Sequence, residues 1–557
     1  MAEDSTKMVT GRMTTYARLL VVGIALVHVA LAWSLRTPVI TTGQDDAEYV
    51  LLSRELSHGS YADSWDVERP LHARYPPAYP ALLAGVAALA GERESVFIFA
   101  NVLLSAGALV LFLPLAKRHL SPLAWFAVTP VIALNPELVF IAGKILSEPL
   151  FLFLIYLTLW FEVRPAVGRG TALATLSAGL TTLARSAGLA IAIGMITGRL
   201  LQRRWAAASA IALFVGATGG AWALYASQAP RSVERALYVA DFQKVLAVDD
   251  RSTIGAAVQR IKYKVEELTI DELPTALSIP VVRGTVIDNA IGALVIVVLL
   301  PLGIVLLWRR WKTAAVVLLA YGALYVVWPY GQVRLIIPVT PLILLSLFLA
   351  AEFIGQRMRW SRASAFLVSA LGAYLATGLL MRFVQERDLY SSCDKGAAPQ
   401  LQPACFPQEG DWTFVQMAKY AKEQLPADAV VFTVKESAFY YHSARRTVNA
   451  RVLLNEDSTT LARALLQRGV QWVATSNAGP MRREHGALVA SACNDFELVK
   501  QFDARTVLLR IREPLGGGSR SNACDALATW RAESLLPREA SEARPPDVLK
   551  QMLNGGY

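Results

Sequence analysis

Long apolar runs fill the chain as far as Val384 and constrain its fold more than any other feature of the sequence. Several of them must extend into their flanks to reach the ~20 residues that a spanning helix needs. The eleven runs are Ala17–Leu35, Val96–Ala116, Pro122–Ala142, Pro149–Phe161, Thr171–Ala184, Ala187–Leu200, Trp205–Ala226, Ala290–Trp308, Thr313–Pro329, Leu335–Ile354 and Ala363–Val384. Because 54% of the 557 residues are hydrophobic, a soluble fold could not bury them all. The pattern therefore predicts a polytopic α-helical membrane protein with about eleven transmembrane helices.

Basic residues cluster between these runs and predict the orientation of the chain. Six clusters hold sixteen Lys and Arg against three acids, so the net charge of +10 does not form one patch for nucleic acid. All six can be cytoplasmic only if a further apolar stretch, Pro77–Ala90, lies along the outer interface without crossing. The prediction is a multi-pass protein of the cell membrane with a cytoplasmic N-terminus and with segment 36–94 outside. Ala30-Leu31-Ala32 could alternatively be a signal-peptidase site, which would leave that segment outside as well.

The composition after residue 384 is that of a soluble protein and predicts three parts. These are a transmembrane domain at 1–384, an extracytoplasmic α/β domain at 385–514, and a mobile tail at 515–557 that opens with a Gly-Gly-Gly-Ser run. The predicted elements of the α/β domain are helices at Trp412–Gln424 and Thr459–Gln467 and strands at Ala429–Val434, Val470–Ala474, Glu497–Phe502 and Thr506–Ile511.

Four cysteines lie in this second part of the chain, at spacings that match no zinc motif. An even number in a domain outside the cytosol favours disulfides. The preferred pairing is Cys393 with Cys405 and Cys493 with Cys524, one of three that are possible. Four unpaired thiols are the alternative.

The sequence contains no Walker loop, no His-Glu-x-x-His and no Gly-x-Ser-x-Gly motif in a suitable setting. The notable polar feature is instead an adjacent carboxylate pair, Asp45 and Asp46, just beyond the first run. Neighbouring carboxylates near lipid repel each other, so one tends to bind a proton or both bind a cation. The alternative is a helix N-cap followed by a first-turn acid, which the amphipathic stretch Ala47–Ser57 would accommodate equally well.

Further charges flank the later runs on the side predicted to be outside. Lys144 and Glu148 precede the fourth run, where they could form a site or a simple i,i+4 ion pair. Arg185 and Arg334 lie at the ends of other runs and could either bind a ligand or snorkel to the interface. Two acids and several cations at one face make a site for an anionic lipid headgroup plausible.

Five short segments resemble the GT-C glycosyltransferases, in particular the bacterial aminoarabinose transferase and protein-mannosyltransferase-like branch. They are Gln44–Tyr49 (QDDAEY), Arg74–Pro80 (RYPPAYP), Leu146–Phe151 (LSEPLF), Thr182–Arg185 (TLAR) and Arg334–Pro338 (RLIIP). The resemblance spans roughly residues 17–384, and the order of the segments and their side of the membrane agree with the predicted topology. Two departures leave the substrate open: the first segment has Asp-Asp where the family usually has Asp-Glu, and Ala78 stands where Leu is frequent.

The resemblance implies transfer of a sugar from a polyprenyl-phosphate donor to a lipid, glycan or protein acceptor at the outer face of the membrane. The reaction needs a base for the proton of the acceptor and positive charge for the departing phosphate. Attack opposite that phosphate inverts the anomeric centre. The roles assigned are these: Asp45 as base, Asp46 and Glu148 as orienting groups, Lys144, Arg185 and Arg334 as phosphate-side cations, and Arg74 and Tyr75 as substrate contacts.

Two questions stay open at this level. Asp45, Asp46 and Glu148 could together hold a divalent metal ion, although no His/Cys cluster specifies one. A flippase of lipid-linked sugars would also need cations that face a lipid phosphate, but it would be expected to have charges at mid-bilayer depth and internally repeated halves, which the sequence lacks. A non-catalytic assembly protein would leave the Asp pair unexplained.

Overall fold

A computed structural model describes residues 15–40, 45–163, 169–229, 253–280, 286–328, 331–389, 392–395, 402–406, 410–450, 459–479, 482–513, 515 and 521–535. Its first part is a bundle of helices. They are α1 (Thr15–Ser34), α2 (Asp46–Ser57), α3 (Ala78–Ala90), α4 (Glu94–Lys117), α5 (Pro122–Ala133), α6 (Pro136–Ala142), α7 (Glu148–Glu162), α8 (Arg169–Ala184), α9 (Gly188–Leu201), α10 (Trp205–Ser227), α11 (Thr253–Glu267), α12 (Leu273–Ala276), α13 (Val286–Ala293), α14 (Leu300–Arg310), α15 (Lys312–Val327), α16 (Thr340–Arg357) and α17 (Ala363–Leu389).

The lengths and apolar surfaces of these helices fit a bilayer. Among the described residues, six helical segments are long and apolar enough to cross, and the bent pair α5–α6 would make a seventh. Large apolar side chains such as Leu19, Leu213 and Leu380 are exposed on them, as contact with lipid requires. Every one of the eleven predicted runs coincides with a helix or with consecutive helices. The polytopic helical fold class is confirmed, while the count of eleven crossings stays a prediction.

Two predicted runs are not single straight helices. Pro122–Ala142 bends by 43° between α5 and α6, where the Asn135 side chain accepts a hydrogen bond from Leu138 N–H and Pro136 begins the new helix. The tenth run begins with two 3-10 turns, Val333–Leu335 and Ile337–Val339, before α16 starts. These turns place Arg334 on irregular backbone at the end of a span, where its side chain can reach a neighbouring segment.

The C-terminal part folds around a five-stranded sheet flanked by helices. Its elements are α18 (Asp411–Gln424), β1 (Val430–Thr433), α19 (Glu436–Ser443), β2 (Arg446–Asn449), α20 (Leu461–Gln467), β3 (Trp472–Thr475), α21 (Arg482–Ser491), β4 (Phe496–Gln501), β5 (Val507–Ile511), α22 (Asn522–Ala526) and α23 (Ala528–Leu535). The strand order is β2-β1-β3-β5-β4, in which β1 is parallel to β2 and β3 while β5 is antiparallel to both its neighbours. All six predicted elements of this domain are present.

The predicted boundary of the tail is wrong. Residues 521–535, which the sequence analysis assigned to the mobile tail, form α22 and α23 and pack against the sheet. The indole of Trp530 is 1% exposed and lies against Gly486, where a side chain would collide with the ring. The Gly-Gly-Gly-Ser run before this stretch suggested a tail, although Leu527 and Trp530 bury it in the core of the domain. Both predicted disulfides, Cys393–Cys405 and Cys493–Cys524, are confirmed, and the second ties α22 to the domain.

The C-terminal domain contacts segment 36–94 at one end of the helix bundle. We call this end, which carries Trp65, Val67 and Glu94, the site end. Thr447 in β2 forms two backbone hydrogen bonds with this segment, from its N–H to Trp65 O at 2.8 Å and from Val67 N–H to its carbonyl at 3.3 Å. The Tyr441 hydroxyl in α19 donates to Glu94 Oε1 at 3.1 Å. The free edge of β2 thus gains a short backbone partner from the membrane domain.

Candidate active site

Asp45 stands at the start of α2 but does not cap it. Its backbone occupies the N-cap position, yet its side chain makes no capping hydrogen bond. Instead, Asp45 Oδ2 lies 3.0 Å from Arg334 Nη2. The N-cap interpretation therefore does not account for Asp45, because its carboxylate turns toward the bundle and pairs with a cation.

The cluster continues through a second carboxylate. Glu148 is 2% exposed, and its Oε1 lies 2.7 Å from Arg185 Nη1 and 3.9 Å from Arg334 Nε. Arg334 therefore lies between Asp45 and Glu148, while Arg185 closes the cluster on the far side of Glu148. Four of the predicted site residues, which are distant in the sequence, meet at the site end of the bundle.

Local packing fixes the position of Glu148. Gly143 packs closely against the end of α1, which leaves no room for a side chain at residue 143. The Thr37 N–H also donates a hydrogen bond to Gly143 O at 3.0 Å. The Asn101 amide group then donates to the carbonyls of Lys144 and Leu146 at 2.7 and 3.0 Å. These contacts hold the loop before α7, so that Glu148 is the first residue of that helix.

A layer of hydroxyl groups supports the charged cluster. Ser147 Oγ accepts a hydrogen bond from Arg185 Nη1 at 2.8 Å and lies 3.0 Å from the hydroxyl of Tyr49. Tyr49 packs between the rings of Tyr75 and Tyr79, with centroids 4.9 and 4.8 Å away. Tyr49, Ser147 and Asn101 were not predicted as site residues, although Tyr49 and Ser147 lie inside two of the quoted segments.

The Pro-rich segment contributes the wall of the site. Arg74 Nη1 lies 3.6 Å from Glu48 Oε2, and the Tyr75 ring lies beside Asp45. His72 holds this wall, since its Nδ1 lies 2.6 Å from Asp63 Oδ1 and its Nε2 accepts the Tyr75 N–H at 2.9 Å. Acceptance at Nε2 requires a proton on Nδ1, so His72 donates to Asp63. Arg74 and Tyr75 thus adjoin the cluster, and their role as substrate contacts stays a prediction.

Electrostatics keep Asp45 ionised. Burial by itself would raise the pKa of Asp45, but the nearby positive charges of Arg334, Arg74 and Lys435 outweigh it and hold that pKa below its usual range. Lys435 belongs to the C-terminal domain, and the sequence analysis did not identify it. Asp45 is therefore a carboxylate at every physiological pH.

Asp46 and Lys144 have a different environment from Asp45. Asp46 Oδ1 accepts the Ala47 N–H at 2.8 Å, and the side chain is buried. Together with Lys144 and Glu94 it lines a small pocket beside the cluster. The structure thus brings Asp46 and Lys144 to one pocket, whose lining includes neither Asp45 nor Arg334.

The carboxylates do not form a metal site. Among the residues that the structure describes, no three His, Cys, Asp or Glu side chains converge in a way that could hold an ion. The oxygen atoms of Asp45 and Glu148 face the guanidinium groups of Arg334 and Arg185, where a metal ion would meet positive charge. This donor set therefore does not fit the divalent ion that the sequence left open.

Comparisons with known proteins show the fold. No protein-family model matches the chain, and no curated protein does. Among solved structures, the Archaeoglobus fulgidus oligosaccharyltransferase, in complex with Zn and sulfate, aligns with 12% identity and a TM-score of 0.53 over 87% of this chain and 72% of that one. ArnT from Cupriavidus metallidurans bound to undecaprenyl phosphate aligns with 14% identity and a TM-score of 0.50 over 91% of this chain and 100% of its own. The apo state of the same ArnT gives 14% identity and a TM-score of 0.51, over 90% and 99%. The chain therefore has the fold of the GT-C membrane glycosyltransferases.

Proposed function

We propose that the protein transfers a sugar from a polyprenyl-phosphate donor to an acceptor at the outer face of the cytoplasmic membrane. The observation that carries this proposal is the ion pair of Asp45 with Arg334, 3.0 Å apart and joined to Glu148 and Arg185 at the site end of the bundle. It combines an ionised carboxylate, which can accept a proton, with cations that can hold a phosphate. The likeness of fold to a protein with bound undecaprenyl phosphate supports this choice of donor.

Arg334 and Arg185 are the proposed phosphate-binding groups. Arginine presents several N–H donors in a plane and binds phosphate oxygens in pairs, which suits a departing phosphate that gains negative charge. Both guanidinium groups already contact Glu148, which therefore fixes their orientation. Glu148 is a positioning residue in this scheme. Asp46 keeps its proposed role as an orienting group and Lys144 its proposed role as a phosphate-side cation, and both line the adjoining pocket.

Asp45 is the proposed base. Its carboxylate accepts the proton of the acceptor hydroxyl as that oxygen forms a bond to the anomeric carbon. The bond from the anomeric carbon to the phosphate oxygen breaks at the same time, and the electron pair leaves with the polyprenyl phosphate. Attack from the side opposite to the phosphate inverts the anomeric centre.

Binding of the donor also strengthens this base. An anionic phosphate on Arg334 weakens the positive field that lowers the pKa of Asp45 in the free protein. Asp45 is then more basic with the donor bound than without it. Proton abstraction is thereby favoured only when a donor is present to receive the attack.

The test is a thin-layer assay of the purified full-length protein with radiolabelled polyprenyl-phosphate sugars and a broad pool of acceptors. Asp45→Asn keeps the size of the side chain but removes its basicity, so turnover should fall by at least ~10² with little change in donor binding. Asp428→Asn, the same change at an exposed aspartate of the C-terminal domain, is the matched control and should leave turnover unchanged.

Two outcomes would count against the proposal. If Asp45→Asn transfers at nearly the wild-type rate, Asp45 is not the base, and Asp46 or Glu148 becomes the better candidate. If the wild-type protein yields no product with any donor, the alternative of a flippase for lipid-linked sugars gains weight. A flippase abstracts no proton and should tolerate Asp45→Asn.

A further inference from the structure

Lys435 reaches the site end from the C-terminal domain. It lies two residues after the end of β1 and directly before α19, at the edge of the sheet where the carboxyl ends of the parallel strands β1 and β3 meet. This edge of an open α/β sheet is where ligands usually bind. Here it faces the membrane domain, since α19 contacts it through Tyr441 and through His442, whose Nε2 lies 3.2 Å from Ile40 O.

A glycine next to β3 makes room for the Lys435 side chain. Gly479 has a φ of +82°, and a Cβ atom there would lie 2.8 Å from Lys435 Cγ. Any other residue at 479 would be strained and would also displace the lysine stem. The stem therefore lies against bare backbone, and its course is defined by the fold of the domain.

Lys435 has no ion-pair partner within the described part of the chain. Each of the three arginines at the site, Arg74, Arg185 and Arg334, has a carboxylate oxygen at 3.6, 2.7 or 3.0 Å. Lys435 is half-buried, and none of the residues that the structure describes forms an ion pair or a side-chain hydrogen bond with it. Its field nevertheless acts on Asp45. The site thus has four cations, which are the three arginines and Lys435. Only three carboxylates, Glu48, Glu148 and Asp45, pair with them.

We propose that Lys435 binds a phosphate group of the substrate, so that the phosphate-binding site is completed by the C-terminal domain. This inference deepens the proposed transferase function and rests on it for the identity of the substrate. The phosphate comes either from the polyprenyl-phosphate donor or from a phosphate-bearing lipid acceptor. In both cases an anion beside Lys435 balances the surplus positive charge of the site.

The experiment measures binding and needs no transfer reaction. The probe is a short-chain polyprenyl phosphate, with the corresponding neutral polyprenol as the reference ligand and phosphatidic acid as the acceptor-type lipid. Full-length wild type, Lys435→Met and Lys435→Arg are compared by native mass spectrometry and microscale thermophoresis. Lys422→Met is the matched control, since Lys422 is an exposed lysine of the same domain.

Lys435→Met should weaken polyprenyl-phosphate binding at least tenfold, as loss of a charged contact implies. Lys435→Arg should restore most of the affinity, while Lys422→Met should leave it unchanged. Polyprenol should bind all four proteins alike. If only phosphatidic acid loses affinity, the proposal stands and the phosphate belongs to the acceptor.

Equal binding of both phosphate lipids by wild type and Lys435→Met, with all proteins folded by size-exclusion profile, would overturn the proposal. That outcome is distinct from failure of the proposed function. A protein that transfers no sugar but shows the lysine-dependent binding would retain the phosphate site and lose only the transferase assignment.

Discussion

Arg334→Ala tests whether Arg334, which lies between Asp45 and Glu148, binds the donor phosphate. Arg334 contacts Asp45 at 3.0 Å and Glu148 at 3.9 Å, and its side chain is 28% exposed. It can therefore turn toward a ligand without leaving a closed core. A charged hydrogen bond contributes about 1.5–3 kcal/mol, so its loss should weaken binding of polyprenyl phosphate by about 10- to 100-fold.

The assay compares dissociation constants of a short-chain polyprenyl phosphate for purified variants at fixed ionic strength. Arg382→Ala is the control, because Arg382 also pairs with a carboxylate, Glu137 at 2.6 Å, but lies on α17 outside the cluster. Both variants lose one partially exposed ion pair, so a general effect on folding should appear in both. Only Arg334→Ala should lose affinity for the phosphate.

Stability provides a second measurement on the same variant. Removing Arg334 leaves the Asp45 carboxylate largely buried without its main partner, which should cost about 1–3 kcal/mol, less than for a fully buried pair. The double variant Asp45→Asn/Arg334→Ala removes both charges and should recover part of that loss. If Arg334→Ala binds polyprenyl phosphate within twofold of wild type and the double variant recovers no stability, the pair has neither of the roles assigned to it.

Three further predictions follow from topology, charge and the disulfides. Single cysteines at 117 and 68, in a variant without native cysteines, should react with a membrane-impermeant reagent from the cytoplasmic and outer side respectively. Glu68 is an exposed residue of segment 36–94, so inside labelling at 68 would contradict the topology and the predicted side of the site. Because the folded pKa of Asp45 is depressed, its contribution to stability is complete above its unfolded pKa of about 4 and is lost as pH falls through the folded value. The stability difference between wild type and Asp45→Asn should therefore shrink in acid, and a constant difference would argue against the ion pair. Removal of the Cys393–Cys405 bond, which closes a short loop, should cost somewhat less than ~3 kcal/mol and spare transfer activity.

The sequence was most informative where the bilayer imposes its own rules. Apolar runs must form helices in lipid, so all eleven runs coincide with helical segments. The break at Asn135 was not predicted. It depends on the Asn135 cap and on Pro136, two residues that hardly change the mean hydropathy of the run. The packed helices at 521–535 were missed because half of their apolar residues are alanines and the stretch follows a Gly-Gly-Gly-Ser run, although Leu527 and Trp530 are buried in the core.

The site was predictable in its members more than in its pairings. Asp45, Glu148, Arg185 and Arg334 were identified by the order of short segments that resemble a family, and the structure brings them together. Asp46 lines a different pocket from Asp45 because the chain turns into α2 between them. The sequence does not indicate the direction of this turn. Lys435 carried no signal either, since it lies in another domain and its role depends on how that domain docks.

That docking has a consequence for how the site is held. Thr447 in β2 bonds to the backbone around Trp65, and the Tyr61 hydroxyl in the same segment donates to Tyr75 O at 2.8 Å. His72 fixes the N–H of the same tyrosine, whose ring lies beside Asp45. The wall next to the proposed base thus receives its backbone contacts from a segment that the C-terminal domain itself anchors. A truncated membrane domain would lack both Lys435 and this anchor, so under the proposed scheme it should bind the donor more weakly than the full-length protein.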